Sequence, residues 1–436
     1  QIEDEIYPDY LYNKTTERFV GAYYDGDVAI DWRAYKLTAS GAFPTNIKNQ
    51  TYHFYKTEGT SYYCTNINIP QTQIIATNTT WKNVSVSNKI TIKNGATLTI
   101  NGLIGCADPD KLIVKDGGQL IHNNAGVKAT LEKEIEGYGS TNAAWYTISS
   151  PLMGSVAVSD VEGLLPTTNN YDIYRYDEPT SVWQNIKESS NNFTSLESGR
   201  GYLYANEYDV TLSFSGELNG DDVNYYLTKT DDIVLSGFHL IGNPFAHNIY
   251  KGNGTAIDDK NLADGYYVLS NSGAWGARIS DESPIKPGQS ILVKTSQEGD
   301  IKIKKTNNQP SQKSTNDILS INVRNSDYDD NAFVLFDEGL PLEKINHQNQ
   351  YVPMIYLPVD NVNYAVAMLD EDVKDIPLSF KAKTMGEYTI RINSYNKDFD
   401  YIYLVDNQTG NVINMLVDEY SFVATTNDNP ERFIVK

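Results

Sequence analysis

Trp145-Tyr-Thr-Ile-Ser-Ser-Pro151 returns later in the chain as Phe238-His-Leu-Ile-Gly-Asn-Pro244. Three more landmarks follow in the same order. Ile173-Tyr-Arg-Tyr176 with Trp183 returns as Tyr266-Tyr-Val-Leu269 with Trp275, and Gly199-Arg-Gly-Tyr-Leu-Tyr204 returns as Gly288-Gln-Ser-Ile-Leu-Val293. Asp209-Val-Thr-Leu212 returns as Asp300-Ile-Lys-Ile303. The offsets of 93, 92, 89 and 91 residues differ only by the size of a small loop change. A repeat of this length, built from short apolar runs that end in proline or glycine, predicts a duplicated β unit over 136–306, with copies at about 145–216 and 238–305.

Upstream, a shorter period takes over. Ile90-Thr-Ile-Lys-Asn-Gly-Ala-Thr-Leu-Thr-Ile100 is followed 22 residues on by Leu112-Ile-Val-Lys-Asp-Gly-Gly-Gln-Leu-Ile121. Two readings are open. Asn94-Gly95 and Asp116-Gly117 between alternating runs suit two hairpins. A constant step with both turns in phase suits coils of a short β-solenoid over 76–135, each stacking an apolar ladder inward. Residues 1–75 carry strand-like pieces (Arg18–Tyr24, Val28–Ile30, Tyr52–Tyr55) and an Asp25-Gly26-Asp27 turn, and read as an N-terminal β region.

Downstream of the duplication, Asn307-Asn-Gln-Pro-Ser-Gln-Lys-Ser-Thr-Asn316 has no apolar anchor and reads as a linker. Alternation then resumes in runs at 318–323, 332–336, 364–367, 376–380, 388–392, 401–405 and 432–435, with Asp406-Asn-Gln-Thr-Gly410 as a turn. Short strands at these intervals predict a C-terminal β-sandwich over 317–436. The fold class expected is therefore all-β.

Composition sets the outer limits. Tyrosine outnumbers phenylalanine 32 to 13, which suits half-buried strands and binding surfaces. A net charge of −21 opposes nucleic acid and anionic lipid as partners. No run of 18 apolar residues suggests a membrane span. Two cysteines, Cys64 and Cys106, exclude a disulfide-built scaffold. The opening Gln1-Ile-Glu-Asp-Glu5, without a basic start or apolar stretch, reads as a mature or trimmed chain.

Several phrases resemble a known kind of protein. Ile148-Ser-Ser-Pro151, Gly201-Tyr-Leu-Tyr204 and Leu240-Ile-Gly-Asn-Pro-Phe245 resemble a module of cell-adhesion proteins exported by type IX secretion. Tyr388-Thr-Ile390, Leu404-Val-Asp-Asn-Gln-Thr-Gly410 and Arg432-Phe433 are similar to the β-sandwich that precedes their sorting domain. The resemblance implies an exported protein, extracellular or on the outer cell surface. It implies no catalytic residues.

Chemistry is sparse. There is no nucleophile elbow, zinc-protease helix, phosphate loop or dinucleotide fingerprint. Cys64 with His53, or Cys106 with His122, would be a thiol and base only if the thiol were activated. Lys111, Lys115 and Asp116 are the groups a polysaccharide-cleaving solenoid would use, and they are equally what polar turns require. Asp327, Asp329, Asp330 and Asn331, with Glu338, approach a calcium-loop spacing, although Ala332 stands where that loop needs glycine. They read either as a structural calcium site or as an acidic turn. Trp183 and Trp275 follow turns at equivalent points of the two copies and would stack on sugar rings if exposed, or fill each copy's core if not. No cofactor beyond that calcium is expected. The function expected is non-catalytic adhesion to a glycan or an extracellular protein. The alternatives are a carbohydrate-active enzyme or its accessory module, and an architectural spacer.

Overall fold

The computed structural model describes residues 72–436, except 140–144, 169, 280–282, 311–316 and 337, together with the backbone of five strands between residues 5 and 68. Among the described residues every regular element is a strand or a three-residue helical turn, so the chain is all-β. No helix among them is long and apolar enough to cross a membrane. Near the N-terminus, Glu5–Tyr7, Tyr10–Asn13, Arg18–Asp25 and Ala29–Lys36 form an antiparallel meander. The strand expected at Tyr52–Tyr55 lies outside the described residues.

The turns at Asn94-Gly95 and Asp116-Gly117 do not close hairpins, because the strands on either side of each turn join different sheets. Gln73–Ile75, Ile90–Ile92 and Leu112–Val114 run parallel in one stack, with Leu112 opposite Ile90 and Ile92 opposite Ile75. Thr79–Trp81, Thr97–Ile100 and Gln119–Ile121 run parallel in a second. Ile67–Asn68, Val84–Ser85 and Ile104–Gly105 make a third. Inward positions such as Ile90, Leu98, Leu112 and Leu120 are wholly buried, which is the period-two alternation of a strand with one face on a core.

One strand joins this stack to the rest. Lys128–Ile135 pairs parallel to Leu112–Val114 and, along its other edge, antiparallel to Val210–Glu217. Its counterpart in the second copy is Val223–Leu227, which pairs antiparallel to Gly299–Ile303. The repeating unit therefore begins one strand earlier than the landmarks in the sequence suggest, and the first copy's leading strand is also the last coil.

Within each copy the sheet order is the same. In the first it runs Tyr146–Ser149, Gly201–Asn206, Tyr171–Asp177, Val182–Asn185; in the second, Phe238–Gly242, Ser290–Lys294, Tyr266–Leu269, Trp275–Arg278. The copies meet back to back through equivalent positions. A side chain on Gly242 would lie 2.4 Å from Ser149 Cβ, and one on Gly201 would lie 2.5 Å from Ser290 Cβ. Ser149 and Gly242 are counterparts, as are Gly201 and Ser290, so each serine fills the space its own counterpart leaves. This is the self-complementary pattern of a two-fold interface, realised within one chain. The serines are also bonded across it: Ser149 Oγ to Asn243 O and Gln289 O, both at 2.9 Å, and Ser290 Oγ to Ile148 O at 2.7 Å. Asn219 Nδ2 donates to the carbonyls of both counterpart prolines, Pro151 at 3.2 Å and Pro244 at 2.7 Å.

Residues 317–436 form one eleven-stranded sheet that curls nearly into a barrel around a single core. Ile321, Val334, Phe380, Leu404 and Phe433 all lie in that core. Four strands beyond those expected complete it: Leu342–Glu343, Met354–Val359, Asn411–Asn414 and Tyr420–Ala424. A buried ion pair joins the adjacent strands Tyr403–Asp406 and Phe433–Val435 and reaches the edge strand Tyr420–Ala424: the Asp406 carboxylate accepts from Arg432 Nε at 2.9 Å and Nη2 at 2.7 Å, and from the Tyr420 hydroxyl at 2.8 Å. Burial alone would raise the Asp406 pKa, but Arg432, Tyr420 and the Gln408 N–H outweigh it and hold it at about 2. A separate cluster in which Leu203, Tyr267, Trp275, Phe333 and Val366 meet joins both copies to this sheet.

Two tests follow from this packing. Gly242→Ala should lower unfolding free energy by about 1–3 kcal/mol through overpacking against Ser149 and the Arg200 backbone. Gly386→Ala, which meets nothing within 4 Å, should stay within about 0.5 kcal/mol of the parent; urea denaturation reads both. The second concerns acid. The folded-state pKa of Asp406 lies below its unfolded value of about 3.9, so its stabilisation is present above that pH and lost as pH falls through about 2. Denaturation midpoints measured from pH 6 to pH 2 should show an acid loss of about 2 kcal/mol from this group, and Asp406→Asn should lack that component.

Candidate functional site

The outward faces of the coils form an open polar surface. Because Thr80 pairs with Thr99 and Thr99 with Ile121, while Thr97 pairs with Gln119, the side chains that point away from the core line up in rows across three coils. Asn78 continues one row, its Oδ1 accepting the Thr97 N–H at 3.0 Å. The second copy supplies the opposite wall through Asn248 and Tyr250, and the segment after it adds Asn307 and Gln309. Together with Thr79 these residues line a groove of about 290 Å³.

The lining is uncharged. Its eleven residues are four threonines, three asparagines, two glutamines, one isoleucine and one tyrosine. Hydroxyls and side-chain amides each offer both donors and acceptors. Some are spent on holding the groove together: Gln119 Oε1 accepts the Asn248 N–H at 2.9 Å, Gln119 Nε2 donates to Thr97 Oγ1 at 3.3 Å, and Gln309 Nε2 donates to the Tyr250 hydroxyl at 3.4 Å. The hydroxyls of Thr80 and Thr99 and the side-chain amides of Asn248 and Asn307 make no bond to a described residue, and face solvent. Tyr250, only 7 % exposed, offers an edge and a hydroxyl, not a full stacking face.

The residues singled out in the sequence lie elsewhere. Trp275 is 2 % exposed in the cluster between the second copy and the C-terminal sheet, so it has no face for a sugar. Trp183 is half-buried against Tyr176, ring centroids 5.1 Å apart. Both occupy the same register, opposite Tyr176 and Leu269, and both pack inward, as duplicated core positions do.

The calcium expectation is corrected. Asp329, Asp330 and Asn331 lie in one strand, Asp329–Phe336, whose alternation sends Asp330 inward and its neighbours outward. Asp330 is 0 % exposed and pairs with Lys344 Nζ at 2.5 Å. Asp329 Oδ2 and Asn331 Oδ1 both accept from Asn322 Nδ2, and Asp327 Oδ2 accepts from Ser326. The four side chains therefore do not converge. Among the described residues no group of three or more His, Cys, Asp or Glu side chains could hold a metal ion.

The remaining candidates are structural. Cys106 is a buried free thiol bonded to Asp108 O at 3.2 Å, and burial pushes its pKa up, away from the thiolate. His122 is buried, with its pKa lowered to about 3 chiefly by desolvation. Cys64 and His53 lie outside the described residues. Lys115 and Asp116 are paired with Glu132 and Lys133 on a different coil face from the groove. Asn307 and Gln309, read as linker, are groove wall.

No protein-family model, curated protein or solved structure matches this chain. Reading the groove from sequence needed the parallel register, which turns Thr80, Thr97, Thr99 and Gln119 from ordinary strand polar residues into a single surface.

Proposed function

We propose that this chain is a secreted or cell-surface, non-catalytic binding protein of adhesive type, and that it holds a neutral polyhydroxylated ligand, a glycan, in the groove across its coils. The observation that carries this reading is the lining itself, which is hydroxyls and amides but for one isoleucine, with no ionisable side chain other than a tyrosine. A ligand dense in hydroxyls, each both donor and acceptor, matches such a set. A charged glycan does not, because nothing in the lining would pair with its charge and the protein's net −21 would repel an acidic one. No carboxylate lines the groove, so it offers no acid–base pair of the kind glycoside hydrolysis uses. Export fits the resemblance to type IX-secreted adhesins in the module and sandwich phrases.

The test is an array of neutral and acidic oligosaccharides, followed by calorimetry on the best neutral ligand. Thr99→Ala and Asn248→Ala, both at solvent-facing positions, should each weaken binding by about tenfold while leaving the thermal midpoint unchanged. Affinity should be nearly independent of salt between low and physiological ionic strength. Binding that survives both substitutions, or that selects acidic sugars with a steep salt dependence, would place the ligand elsewhere.

A further inference from the structure

A buried cluster between the second copy and the C-terminal sheet is poorly satisfied as an ion pair. Asp330, Lys344 and His347 are 0 %, 1 % and 2 % exposed at their side chains. The Lys344 ammonium has three N–H donors but, among the described residues, only two acceptors, Asp330 Oδ2 at 2.5 Å and Asn331 O at 3.5 Å. Asp330 Oδ2 also accepts the Ile355 N–H at 2.8 Å, whereas Asp330 Oδ1 has no hydrogen-bond partner among the described residues. His347 Nδ1 accepts the Trp275 N–H at 3.0 Å, which places the ring proton on Nε2, and Nε2 lies 3.6 Å from Asp330 Oδ2 without bonding it. Of the three buried side-chain atoms without a hydrogen bond among the described residues, two are in this cluster. Buried polar groups are rarely left this way.

We propose that Lys344 and Asp330 condense into an intramolecular amide, Nζ to Cγ, with release of one water. The step balances without an oxidant or co-reactant. Where water is excluded the charged pair is costly, and passing one proton from the ammonium to the carboxylate, to reside on the unpartnered Oδ1, leaves an amine beside a carboxylic acid. The Nζ lone pair attacks Cγ and forms the N–C bond. The Ile355 N–H and His347 Nε2–H donate to Oδ2 as it takes negative charge. The bond from Cγ to Oδ1 breaks, and that oxygen leaves as water with the second proton from Nζ. The product removes each defect: the orphan oxygen is gone, Oδ2 accepts from Ile355 and His347, and a single amide N–H faces Asn331 O. It ties the segment that follows Leu342–Glu343 to the strand Asp329–Phe336. That segment already grips the second copy, through Tyr267 hydroxyl to Glu343 O at 2.7 Å and Ile345 N–H to the Tyr267 hydroxyl at 3.3 Å.

The purified full chain, denatured and weighed by intact mass spectrometry, decides the matter without depending on any variant folding. The expected mass is one water below the sequence sum. Trypsin should fail to cut after Lys344, so that the loss appears in a single peptide spanning 325–374. Lys344→Arg should restore the full mass, and His347→Phe should yield a mixture with a reduced cross-linked fraction. A parent chain of full mass cleaved normally after Lys344 would overturn the proposal and leave a buried ion pair. A chain one water lighter that is still cleaved there would overturn it too, since that is the signature of an aspartyl succinimide.

Discussion

Ser149 stands where Gly242 has no side chain, and Ser290 stands where Gly201 has none. That reciprocal contact is the constraint on which the arrangement of the molecule rests. Two sheets of equal order approach so closely that one methyl group would force them apart, and the serine hydroxyls cross the seam to bond the other copy's backbone. Everything on either side is built outward from it. The first copy continues through Lys128–Ile135 into the coils, and the second continues through Tyr267 and Trp275 into the C-terminal sheet. The groove has one wall from each side, so its width is a consequence of how tightly the copies meet.

The apolar clusters reflect the same continuity. One runs from Ile75 in the coils to Phe214 and Leu218 in the first copy; another joins Leu203 of the first copy, Trp275 of the second and Phe333 of the C-terminal sheet. Shared clusters of this kind transmit position from one part of the chain to the next, because close-packed interiors do not deform gradually. A binding surface assembled from coil, second copy and following segment needs that rigidity, since hydroxyl and amide contacts lose their value with small errors in distance.

Much of this was legible in the sequence, and the failures have identifiable causes. The duplication was visible because proline, glycine and tryptophan landmarks are imposed by local turns and cores, which recur with the copy. The 22-residue step was visible for the same reason. The double pairing of Lys128–Ile135 was not, because a strand's second edge leaves no trace in its own alternation. Asp330 was misjudged as a metal ligand beside Asp329 because spacing along a loop was considered before the alternation of the strand that contains both. The groove was missed because its residues lie from 78 to 309 in the chain, and threonine on an outward strand face is common wherever a sheet meets water. Met354–Val359 was missed because Pro358 masks its pattern.

Hydrogen–deuterium exchange of the chain with and without a saturating neutral oligosaccharide locates the ligand without any substitution, since it surveys every segment at once. The account predicts slowed exchange in three stretches distant in sequence: the coil strands around Thr80, Thr99 and Gln119, the loop at Asn248 and Tyr250, and the segment at Asn307 to Gln309. Slowing confined to the C-terminal sheet, or binding that leaves all three stretches unchanged, would contradict it.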